Sequence, residues 1–119
     1  MSVYFLRPIG MPGPVKIGCS IMPHWRMYEY MTWSPFPLEI AAEGDGDFNV
    51  ERALHLRFAG QRTHREWFSA SPDLTALIDH VKFDSDIKGW LAKDGFDFEA
   101  YMADCMRPKR RAPAPKAVA

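Results

Sequence analysis

Cysteine is scarce in this chain: two in 119 residues, Cys19 and Cys105. That is too few for a disulfide framework and too far apart for a zinc knuckle. The four histidines, His24, His55, His64 and His80, form no paired metal-ligand spacing with them. No apolar run reaches the roughly 18–20 residues that a membrane span needs. The opening Met1-Ser2-Val3-Tyr4-Phe5-Leu6-Arg7 has no long apolar core or small-residue cleavage site, so no signal peptide is expected. These absences predict a reduced, cytoplasmic protein with no membrane partner. Internal repeats are also missing. Net charge is absent too, at +0, but it hides a division. Residues 1–68 balance seven basic against seven acidic groups. Residues 69–106 carry eight acids against Lys82, Lys88 and Lys93, and residues 107–119 carry five basic groups and no acid. Such a tail can hold phosphate or fold back on the acidic stretch.

What remains is ordinary for a globular domain, 47% hydrophobic and 25% charged, and long enough for a real core. Residues 2–7 alternate and favour a strand. Pro8, Gly10, Pro12, Gly13 and Pro14 make a loop, and Val15-Lys16-Ile17-Gly18-Cys19 the returning strand. Ser20 and Pro23 suit the start of a helix running to about Thr32. Leu38–Ala42 reads as a third strand, ended by Gly44-Asp45-Gly46-Asp47. Asp47 or Asn49 caps a second helix through about Ala59, with Gly60 as its stop. Arg65-Glu66-Trp67-Phe68 is a short extended piece. Ser71-Pro72-Asp73 opens a third helix whose Leu74, Leu77, Ile78 and Val81 have helical spacing. The order β-β-α-β-α-α implies an α+β fold, a small three-stranded antiparallel sheet flanked by helices. The expected divisions are a core at 1–83, a helical extension at 84–106 and a disordered Pro/Ala-rich basic tail at 107–119.

Strand residues two apart share a face. A hairpin centred on Met11 sets Tyr4 opposite Gly18 and Leu6 opposite Lys16, with Tyr4 and Lys16 as diagonal neighbours. On the second helix Glu51 and His55 stack four apart, beside the apolar stripe of Val50, Leu54 and Phe58. Each polar residue also has an ordinary structural role open to it. Tyr4 can be packing, Arg26 can pair with Glu29, and Glu51–His55 can be a surface contact. Glu66 is expected to pair with an arginine and Trp67 to lie in the core. Tyr28 and Tyr30, with Trp25 and Trp33, can stack bases or form a core face.

Taken in order, Val3-Tyr4-Phe5, Val15-Lys16-Ile17-Gly18, Pro23 with Arg26, Glu51-Arg52-Ala53-Leu54-His55 with Phe58, and Arg65-Glu66-Trp67-Phe68 resemble the GIY-YIG nuclease superfamily. The likeness covers about residues 3–78. It is nearest the phage- and restriction-associated branch, whose second motif reads Lys-Ile-Gly. It rests on spacing: twelve residues from Tyr4 to Lys16, eight from Gly18 to Arg26, four from Glu51 to His55. The resemblance assigns Tyr4 to the first-motif tyrosine and Lys16 to the place where the second motif usually has one. It makes Arg26 the helix arginine, Glu51 the metal-binding glutamate and His55 the histidine one turn later.

What the resemblance implies is a metal-dependent endonuclease that hydrolyses DNA phosphodiester bonds with one divalent ion, Mg2+ or Mn2+, on Glu51. Arg26 would grip non-bridging oxygens, and Tyr4 or His55 would take the proton of the attacking water. Lys16 would lower the pKa of Tyr4. Arg52, Arg57, Arg62 and Arg65 would supply positive surface for the DNA. Two other classes stay open. One is a nuclease-like module that binds nucleic acid or protein without cutting. The other is a small accessory protein that uses acidic residues 84–106 to contact a protein partner.

Overall fold

The computed structural model describes residues 1–106; the expectations for the basic tail lie outside the described residues. The chain order is β1 (Ser2–Pro8), β2 (Val15–Ser20), α1 (Pro23–Met31), β3 (Leu38–Asp45), α2 (Phe48–Arg57), β4 (Arg62–His64), β5 (Trp67–Phe68), α3 (Pro72–Phe83), α4 (Ile87–Lys93) and α5 (Phe98–Met106). The class is α+β as expected, but the sheet has five strands, not three. They run in the order β3-β1-β2-β5-β4, every neighbouring pair antiparallel. The two extra strands form a hairpin of three and two residues. Segments that short carry no period-2 signal of their own. β3 also runs three residues beyond Ala42. A register shift opposite Phe5 and Leu6 keeps Gly44 and Asp45 paired to β1.

The β1–β2 register is the expected one, with Tyr4 opposite Gly18 and Leu6 opposite Lys16. It divides the sheet into two faces. Val3, Phe5, Val15 and Ile17 enter the main core with Val50, Leu54 and Phe58 of α2 and Leu74, Leu77, Ile78 and Val81 of α3. Ile87 and Leu91 of α4 belong to the same core. Fully burying one such aliphatic side chain is worth about 1.5–3 kcal/mol. The opposite face, with Tyr4, Leu6, Lys16 and Gly18, is covered by α1.

Caps set where the helices begin. Asp47 Oδ1 accepts from the Asn49 and Val50 amides at 3.0 and 3.2 Å, which fixes α2 so that Glu51 falls in its first turn. Ser71 Oγ accepts from the Leu74 amide at 3.2 Å and starts α3. Much of the acidic run after residue 83 has the same local purpose. Asp84 accepts from the Asp86 amide, Asp86 from the Gly89 amide and Asp97 from the Ala100 amide. Asp94 pairs with Arg57.

Candidate functional site

Ile17 sits where β2 loses its outer neighbour. β5 pairs with Val15 and Lys16 only. Both backbone groups of an antiparallel residue point to the same edge, so the Ile17 N–H and carbonyl face past the end of β5. The N–H donates to the Glu66 carbonyl at 3.1 Å. The carbonyl takes a bond from His55 Nε2 at 2.9 Å. A carbonyl oxygen only accepts, so Nε2 carries the hydrogen, and a neutral ring then keeps its lone pair on Nδ1. Burial pushes the His55 pKa below the ordinary imidazole range, against an opposing pull from the Ile17 bond. The ring is therefore neutral at neutral pH.

Beyond that strand end lies a cavity of ≈ 330 Å³ whose lining includes Tyr4, Arg26, Glu51 and His55. The structure brings these four together from β1, α1 and α2. Glu51 is only 8% exposed, so its pairing with His55 is not a surface contact; Oε1 stands 3.7 Å from Nε2. Its carboxyl is pushed up to about 7, by burial first and then by the negative charge of Glu66, with Lys16 pulling the other way. The helix N-terminus favours the anion by only about 0.3–1 kcal/mol, which is less than burial and a like charge together remove.

Glu66 is the residue that the sequence did not disclose. It pairs with Lys16, Nζ to Oε2 at 2.6 Å, not with an arginine as expected, and it lines the cavity beside Glu51 within reach of sharing a proton. Lys16 itself is buried and stands in an adjoining groove, 4.3 Å from the Tyr30 ring centre. This overturns the expectation that it tunes Tyr4. Burial raises the Tyr4 pKa well above the usual phenol value, Tyr30 adds to the rise, and the countering positive group is Arg26. Tyr4 therefore remains a phenol. The close approach of its ring depends on Gly18, since a Cβ there would collide with the Tyr4 ring and hydroxyl.

Arg26 does pair with Glu29, at 2.7 Å, but its other terminal nitrogen donates to the Tyr30 hydroxyl at 2.9 Å. Tyr30 thus joins the site, one helical turn from Arg26. Cys19 also lines the cavity. Burial first, and then the Glu51 charge, push its thiol up to about 11, so it is no thiolate nucleophile. Of the expected DNA-binding arginines, Arg52 lines the cavity, while Arg62 and Arg65 line the adjoining groove. Arg57 is held by Asp73 and Asp94 and packs over Phe58. Trp67 is half-buried, lining the groove and a neighbouring apolar pocket instead of filling the core.

The T5orf172 domain matches residues 1–102. The chain belongs to the T5orf172 domain family. No curated protein and no solved structure matches it. At the level of the whole domain, the T5orf172 match agrees with a GIY-YIG-like, nuclease-type domain and with a nuclease-like or DNA-binding role. The T5orf172 region takes in every residue lining the cavity. The chain contains no helix, among its described residues, long and apolar enough to cross a membrane.

The donor chemistry of the T5orf172 cavity suits a small hard cation. Two carboxylates face one another, Lys16 and Arg52 offset them only in part, and burial above all leaves Glu51 holding a proton near neutrality. Oxygen donors of this kind are those that Mg2+ and Mn2+ prefer. Among the described residues no three His, Cys, Asp or Glu side chains are grouped to hold a metal. An ion on Glu51 would thus draw most of its ligands from water and phosphate.

Proposed function

We propose that this chain is a metal-dependent endonuclease that hydrolyses DNA phosphodiester bonds. The observation that carries the reading is the convergence of Tyr4, Arg26, Glu51 and His55 on one cavity, with Glu51 buried and facing a second carboxylate, Glu66. Glu51 is the residue that would hold Mg2+ or Mn2+. When bound, the ion supplies Lewis-acid stabilisation of charge on the phosphate and the leaving oxygen.

The chain's own groups supply the rest. Arg26 reaches the cavity with donors left over after Glu29 and Tyr30, and its planar guanidinium binds non-bridging phosphate oxygens. His55 is neutral with its lone pair on Nδ1, which makes it the better base for water at neutral pH. Tyr4 keeps its proton, so it orients a phosphate or water oxygen as a donor. Lys16 holds Glu66 in place, and the exposed Arg52, Arg62 and Arg65 hold flanking phosphates. The Lys16-Ile17-Gly18 string supports the branch with a Lys-Ile-Gly second motif.

Supercoiled plasmid incubated with the protein and Mg2+ or Mn2+ tests the reading. Nicking that depends on the metal and vanishes in Glu51→Gln is expected. Wild-type protein that nicks no DNA with either ion refutes cleavage. A second reading, a DNA-binding domain that does not cut, is favoured by one observation: the second-motif position holds a lysine tied to Glu66 at 2.6 Å instead of a free tyrosine. DNA binding without nicking selects it.

A further inference from the structure

Beside the catalytic cavity the fold leaves an apolar pocket of ≈ 400 Å³, within the range of small-ligand sites. Its walls include Met11 from the β1–β2 loop, Trp33 and Phe36 from the α1–β3 loop, Tyr30 from α1 and Trp67 from β5. Trp33 is 87% exposed and Phe36 54%, an unusual cost for large aromatic side chains unless something covers them. The loop that carries them is held in shape. The Trp33 and Ser34 amides donate to the Tyr30 carbonyl at 3.1 and 3.0 Å, and Ser34 Oγ donates to the Phe36 carbonyl at 2.7 Å.

The pocket's neighbours say what covers it. Tyr30 lines this pocket, the catalytic cavity and the groove that contains Lys16, Arg62, His64 and Arg65. Trp67 lines the pocket and that groove. An aromatic slot, a groove bearing Arg62 and Arg65 with the Lys16–Glu66 pair, and the candidate site therefore adjoin one another around Tyr30. A ligand that fills all three needs flat apolar units alternating with anionic ones along one strand. A polynucleotide carries that repeat along its whole length, a flat base beside every phosphate.

We propose that this pocket receives an unstacked base of the DNA strand, next to the phosphate held in the catalytic cavity. The proposal rests on the nuclease reading and adds the substrate class. In a continuous duplex both faces of a base are already stacked, so the pocket selects DNA with an unpaired or extruded nucleotide beside the cut. Few polar groups line the pocket, so it accepts any base by stacking and reads no sequence.

The test is binding by the full chain in EDTA, where no cutting occurs, to three labelled DNAs. These are a continuous duplex, a duplex with a short gap of unpaired thymines, and the same gap with abasic sites. Wild-type protein is expected to prefer the thymine gap over the abasic gap by about tenfold, the order of one base stacked on an aromatic. Trp33→Ala with Phe36→Ala is expected to abolish that preference while leaving duplex affinity and thermal stability unchanged, because both side chains are exposed. Equal affinity for the two gapped DNAs overturns the pocket proposal alone. So does a preference that survives the double substitution, or a dimer that the substitution dissociates. Binding to none of the three overturns the DNA reading and the pocket with it.

Discussion

The imidazole of His55 takes the place of a strand partner for Ile17, bonding its carbonyl from Nε2 at 2.9 Å where β5 has ended. One contact therefore completes the sheet edge and fixes which nitrogen can accept a proton. The two roles separate by substitution. His55→Gln keeps an N–H donor near Ile17 but removes the base. Nicking is expected to fall by about 10²–10⁴ with little change in melting temperature. Full activity in His55→Gln would make the residue an edge cap only. Because burial lowers the His55 pKa, activity at metal concentrations high enough to keep Glu51 ionised should hold down to a pH below the ordinary imidazole range before protonation abolishes it.

Glu51 gives a pH-dependent signature in stability. Its folded pKa is raised to about 7 from 4.5. The folded state thus binds the proton more tightly than the unfolded chain does. The stability this contributes is fully present below pH 4.5 and is lost as pH rises through about 7. Without divalent ions, Glu51→Gln should stabilise the protein at pH 8 by on the order of 2 kcal/mol relative to its effect at pH 4. Added Mg2+ or Mn2+ should raise the melting temperature of wild type but not of Glu51→Gln. Calorimetry showing equal metal responses in both proteins rules Glu51 out as the ligand.

Arg26→Lys keeps the charge but loses the fork that reaches Glu29 and Tyr30 at once. Nicking should drop by about a hundredfold, in the range seen when one transition-state donor is removed. Undiminished cutting by Arg26→Lys would reduce the residue to a structural partner of Glu29.

Gly18→Ala places a methyl group against the buried Tyr4 ring, which must shift to admit it. A loss of about 1–3 kcal/mol is expected, typical of overpacking, and nicking should fall with it as Tyr4 leaves the cavity. Denaturant melts of Gly18→Ala at wild-type stability would contradict the packing seen here.

Much of the site was legible because it rests on short-range periodicity. The alternation of β1 and β2 fixed Tyr4 opposite Gly18, and the spacing of Glu51 and His55 put both beside the Val50–Leu54–Phe58 stripe. Glu66 was not legible, since its partner Lys16 lies 50 residues away and no local pattern couples them. Tyr30 stood four residues beyond Arg26, but its aromatic neighbours made it look like core. The misjudged Lys16–Tyr4 coupling came from treating diagonal strand neighbours as charge partners when a carboxylate from β5's approach was nearer. Whether the acidic stretch meets a protein partner has no sequence signal that separates it from the capping duties of Asp84, Asp86 and Asp97.

Arg65 turns the chain between β4 and β5 with a φ of 52°, an angle that few non-glycine residues hold. The chain reverses there, and β5 then pairs with Val15 and Lys16 only. Were the hairpin two residues longer, its backbone would lie along the rest of β2, satisfying Ile17 and displacing His55. The sheet would be more complete, and His55 would lose the carbonyl that holds its Nε2. The length of one turn therefore sets which group bonds the Ile17 carbonyl, a backbone amide or a titratable side chain.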